Sequence, residues 1–119
     1  MTTLVACLST GKGTWEHVAR VIAGEDWEKI ILITNEFGKE NLKIEKKNIE
    51  IIVINPMKVL PELVEDIKKE LEGKIKGTEA ALNMISGSGK EHMAVLSSLL
   101  KLGFGVRLVA LTKEGIKEI

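Results

Sequence analysis

A chain of 119 residues, 45% apolar and 29% charged, suits one globular domain with its own core, held without disulfides or structural metals. Its 17 basic and 17 acidic residues cancel, which argues against general DNA binding but leaves room for a focused anion site, because a local field needs no global one. The single cysteine, Cys7, excludes an internal disulfide and a multi-cysteine metal centre, and its apolar surroundings suit a small buried side chain.

Residues 4–8 form a short apolar run that reads as a buried first strand, closed by Ser9, Thr10, Gly11, Lys12 and Gly13. Trp15, Val18, Ala19 and Ile22 then follow helical spacing, with Gly24 as a stop. The β-branched run at 30–33 is a second strand ending at Thr34 and Asn35, and Trp27 ahead of it reads as packing. Residues 36–48 are polar and hold at most a short helix. A third strand spans 49–54 and ends at Asn55 and Pro56. Val59, Leu60, Leu63, Val64, Ile67 and Leu71 make an amphipathic helix stripe, with Pro61 in its first turn. Residues 80–85 are a fourth strand, built on the weak strand formers Ala and Met. Met93, Leu96, Leu99 and Leu100 mark the next helix, which Gly103 closes; Ser88 and Glu91 have capping-box spacing at its start. Residues 106–111 are a fifth strand. After a turn at 113–115, residues 116–119 are expected to pair antiparallel with it.

Strand and helix alternate, so the expected fold is α/β: a Rossmann-like three-layer sandwich over residues 1–119, with a mainly parallel sheet of order 3-2-1-4-5-6 and an antiparallel C-terminal edge strand. No repeat, linker or low-complexity segment interrupts it, and the expected strand at the end leaves room for a further domain in a longer parent. No apolar run approaches a membrane span, and the N-terminus lacks a basic segment followed by a long apolar one, so the expected location is cytoplasmic. Abundant Lys and Glu, with no Gln or Tyr, lean towards a thermophilic source.

In that order, strands one and four are neighbours whose following helices lie on opposite faces, which opens a crevice at their carboxyl ends. The loop Ser9, Thr10, Gly11, Lys12 and the loop Ser86, Gly87, Ser88, Gly89, Lys90 should therefore face each other. They offer hydroxyls, exposed amides and two lysines, which suit a phosphate, and no carboxylate cluster for a metal. Each group also has an ordinary structural role. Ser88 caps a helix, Asn35 is either a turn residue or a ligand at the crevice mouth, Trp15 is either core or a platform for a base, and His17 and His92 stand alone. Two common nucleotide motifs fail. The P-loop pattern would need glycine at Met84 and Ser or Thr at Glu91, and the dinucleotide fingerprint would need its third glycine at Glu16.

The segment Asn83-Met84-Ile85-Ser86-Gly87-Ser88-Gly89-Lys90-Glu91-His92-Met93-Ala94 resembles the strand–(T/S)-G-G-T-K-x-M-(A/S) segment of CARF domains, the CRISPR-associated Rossmann-like family. The resemblance covers the whole chain in architecture and two loops in motif. It departs from the family pattern at Gly87-Ser88-Gly89, at Glu91, and in the short stretch between strands two and three. It implies a homodimer whose two crevices join to bind one cyclic oligoadenylate, a ring-shaped second messenger of antiviral defence. It also implies ring cleavage in some members without metal or cofactor, by attack of a ribose 2′-hydroxyl. In this carry-over Gly87, Ser88, Gly89 and Lys90 hold phosphate and ribose, while Ser9, Thr10 and Gly11 line the other wall. For cleavage, Lys90 would stabilise the charged transition state and Ser9 would position the hydroxyl. Two other readings stay open: a small α/β enzyme acting on a mononucleotide or sugar phosphate, and the sensor module of a larger regulator.

Overall fold

A computed structural model describes residues 2–9, 12–42 and 48–119. Six strands, β1 (Thr3–Leu8), β2 (Lys29–Thr34), β3 (Ile49–Val53), β4 (Glu79–Asn83), β5 (Gly105–Thr112) and β6 (Gly115–Glu118), form one sheet of order β3-β2-β1-β4-β5-β6. All pairings are parallel except β5 with β6. Among the described residues four α-helices connect them: α1 (Trp15–Gly24), α2 (Glu36–Asn41), α3 (Leu60–Leu71) and α4 (Gly89–Lys101). The α/β class, the strand order and the antiparallel edge strand are those expected from the sequence.

The chain steps from β1 to β2 to β3 in one direction along the sheet, then returns to β4 and β5 in the other. Right-handed crossovers therefore put α1 and α2 on one face, α3 and α4 on the other. β1 is buried on both faces, and its side chains alternate between two cores. Val5 and Cys7 join Leu63, Ile67 and Leu99 beneath α3 and α4. Leu4, Ala6 and Leu8 join Val18, Val21 and Ile22 beneath α1. On α3 the predicted stripe is buried from Leu63 onward, with Leu63, Val64, Ile67 and Leu71 inside and Pro61 in the first turn, whereas Val59 is an exposed N-cap ahead of the helix. Each such side chain contributes roughly 1.5–3 kcal/mol on full burial.

Trp27 is buried ahead of β2 and donates its indole N–H to the Val21 carbonyl at 2.8 Å. β4 stops at Asn83 rather than continuing to Ile85. There the Asn83 Oδ1 accepts the Ile85 N–H at 3.3 Å, which turns the backbone out of the ladder. The Asn83 Nδ2 donates to the Val109 carbonyl at 2.9 Å, and the Leu111 N–H donates to His17 Nε2 at 3.3 Å. These two side chains extend the β4–β5 ladder past the end of β4. His17, isolated in sequence, is thus an acceptor within the framework, with its ring proton on Nδ1. At the amino edge of the sheet Lys29 pairs with Glu50 at 3.2 Å, and the Lys74 ammonium holds the Glu50 carboxyl below the usual range. Ion pairs this exposed add little stability.

Candidate functional site

The carboxyl ends of β1 and β4 meet as their order requires. Ser9 follows β1, Ser86 follows β4, and the Ser9 N–H donates to Ser86 Oγ at 3.0 Å across the switch point. Ser86 is buried. Its carbonyl accepts the Nε2–H of His92 at 2.8 Å, so one turn of α4 is fastened back onto the loop that precedes it. The second histidine left isolated in the sequence therefore supports the loop.

Gly87 takes φ of +107°, where side chains are strained. A Cβ there would lie 3.2 Å from His92 Nε2 and 3.5 Å from the Cys7 Cβ. Gly89 differs: a Cβ on it would meet nothing within 4 Å, so its neighbourhood is open space. Ser88 caps α4 with the expected capping box. Its side chain accepts the Glu91 N–H at 3.2 Å, and Glu91 Oε1 accepts the Ser88 N–H at 2.9 Å. Glu91 is only 5% exposed, so its carboxylate turns back into the cap rather than out towards a ligand. The Gly89 and Lys90 amides are the first-turn donors left without an intrahelical acceptor.

Lys90 is exposed, and its ammonium donates to the Pro56 carbonyl at 2.9 Å. Pro56 precedes α3, so Lys90 reaches over the α3 side of the carboxyl edge and not towards Ser9. An ammonium carries three N–H donors, and this bond uses one. Asn35 has a structural role at the end of β2. It caps α2, with Oδ1 accepting the Gly38 N–H at 2.8 Å. Thr10 and Gly11 lie outside the described residues, as does the side chain of Lys12. Of the expected site residues, Ser9 and Ser86 are in direct contact across the switch point, and Gly87, Ser88, Gly89 and Lys90 continue the chain from Ser86 into α4.

Three further arrangements depend on contacts that the sequence alone does not specify. Trp15 donates its indole N–H to the Ser9 carbonyl, and its ring lies 6.0 Å from that of Phe37 at 55°. Gly38 is required by Thr34: a Cβ would sit 1.7 Å from Thr34 Oγ1, a buried hydroxyl with no hydrogen-bond partner. That close approach presses α2 onto the end of β2. Along α4, Met93, Leu96 and Leu100 line an open groove of about 600 Å³ with Met84 and Ser97, and Met93 and Leu100 are 60% and 57% exposed.

Cys7 lies beneath this site on the α3–α4 face. Burial, helped by the Glu91 charge, pushes its thiol up to about 12 from an ordinary 9.0. The folded chain therefore favours the neutral thiol. The stability this gives is complete below pH 9 and is lost as pH rises towards 12, with a slope approaching about 1.4 kcal/mol per pH unit. Urea unfolding of the wild type between pH 8 and about 11 should show this loss, and Cys7→Ala should lack that component of the slope. Parallel curves for the two proteins would refute it.

Among the described residues no three His, Cys, Asp or Glu side chains gather as metal ligands, and no helix is long and apolar enough to cross a membrane. No family model and no curated protein matches the chain.

Proposed function

We propose that this is a CARF-like protein that binds a cyclic oligoadenylate in a groove shared by two copies of the chain. The observation that carries the reading is the Ser9 N–H···Ser86 Oγ bond, which joins two Gly/Ser/Lys loops at the switch point of a Rossmann-like sheet. Ligands of such sheets bind at that crevice. The capped start of α4 supports an anionic ligand there, because the Gly89 and Lys90 amides and the helix dipole favour negative charge and Glu91 is turned inward. A ring of several phosphates matches a two-fold site in which each copy holds half. The apolar face of α4, with Met93, Leu96 and Leu100, begins one turn from the loop and supports a second copy as its cover.

Cleavage of the ring is the further part of the proposal. The ribose 2′-oxygen would bond to the adjacent phosphorus as the bond from phosphorus to the 5′-oxygen breaks, the 2′-hydroxyl giving its proton to water and the departing 5′-oxygen taking one from water, leaving a 2′,3′-cyclic phosphate and a 5′-hydroxyl. Ser9 would hold the attacking ribose in line. Lys90 would turn its remaining donors to the charge gathering on the phosphate oxygens.

Calorimetry with cyclic tetra- and hexa-adenylate tests the binding. Lys90→Ala should weaken the bound ring by roughly 10- to 100-fold, the usual value of a charge-assisted hydrogen bond. Failure of the wild type to bind either ring would sink the reading. Mass spectrometry after incubation in EDTA tests cleavage separately.

A further inference from the structure

We infer that Trp15 and Phe37 form the platform on which a purine base of the ligand stacks, an inference that rests on the groove proposed above. The chain has only four aromatic residues, two Trp and two Phe. Trp27 is buried in one core and Phe104 packs against the other. The remaining two meet at the carboxyl edge of the sheet, with ring centroids 6.0 Å apart and tilted by 55°.

Each ring is set there by a neighbour of the crevice. Trp15 opens α1, and its indole N–H is bonded to the carbonyl of Ser9, whose N–H reaches Ser86. Phe37 lies in the first turn of α2, which Asn35 caps and the Thr34–Gly38 approach holds against the sheet. Phe37 is 38% exposed. One exposed apolar side chain means little by itself. Here it pairs with an indole fastened to Ser9, which is bonded to Ser86 of the loop that would hold phosphate, so the ring surface and the phosphate donors share one edge. A nucleotide needs that combination, amides and cations for its backbone and a π face for its base.

Substitutions at Phe37 separate stacking from simple packing. Phe37→Tyr keeps the π face, and Phe37→Leu keeps apolar bulk without it. Cyclic tetra- and hexa-adenylate are titrated into each variant and the wild type, following heat and tryptophan emission, with thermal melts to confirm folding. Trp27 is buried with its N–H on the Val21 carbonyl, so a quench on binding reports Trp15. Phe37→Tyr should bind like the wild type, Phe37→Leu about 10-fold more weakly, and the wild-type emission should fall. If a ring binds but Phe37→Leu matches the wild type and emission is unchanged, the platform is wrong and the groove stands. If the wild type binds neither ring, the groove reading fails and the platform falls with it.

Discussion

Gly87→Ala should cost about 2–4 kcal/mol of stability and abolish ring binding. At φ of +107° any side chain is strained, a cost of order 1–3 kcal/mol. The added methyl also meets His92 Nε2 at 3.2 Å. His92 cannot yield freely, because that same nitrogen donates to the Ser86 carbonyl. Relief of the contact therefore loosens Ser86, which in turn releases Ser9. Gly89→Ala is the control for stability alone, since its Cβ would enter open space at the start of a helix in the free chain. Urea unfolding and calorimetry on both variants check this, and an unchanged midpoint for Gly87→Ala would mean that loop 86–88 repacks without cost.

If the proposed shared groove is right, Leu100→Glu should turn the proposed dimer into a monomer and weaken ring binding by at least about 100-fold, as expected when two half-sites are uncoupled. The side chain is 57% exposed in the single chain, so the fold should tolerate the charge. Across a two-fold axis the same change would put two carboxylates into an apolar seam without partners, and an unpaired buried charge is strongly destabilising. Light scattering should give the mass of two chains for the wild type and of one for Leu100→Glu, with equal melting of the folded monomer. A variant that stays dimeric would move the interface away from α4.

The framework was legible in the sequence because its signals are local or topological. A run apolar on every residue marks β1 as buried on both faces, a 3.6-residue stripe marks α3, and the handedness of crossovers then allows few sheet orders. The capping box was legible for the same reason, since Ser88 and Glu91 are three residues apart. What stayed hidden depends on distant partners. The end of β4 is decided by Asn83, which holds the Ile85 N–H and is itself fixed by the Val109 carbonyl, 26 residues on. Lys90 is aimed by the carbonyl of Pro56, 34 residues away, so no spacing rule could tell that it turns from Ser9. Gly38 reads as one more loop glycine until Thr34 Oγ1 is seen to occupy the place of its Cβ. Asn35, with two open roles in the sequence, caps α2 through the Gly38 N–H.

The peptide of Ser9 is gripped from both ends, its N–H by Ser86 Oγ and its carbonyl by the Trp15 indole. Ordering a backbone segment costs about 1–2 kcal/mol per residue in lost conformational freedom. For Ser9 that loss falls within folding, before any ligand arrives. A ligand contacting this wall would meet groups already in position, and its association would carry a smaller entropic penalty than a free loop would impose.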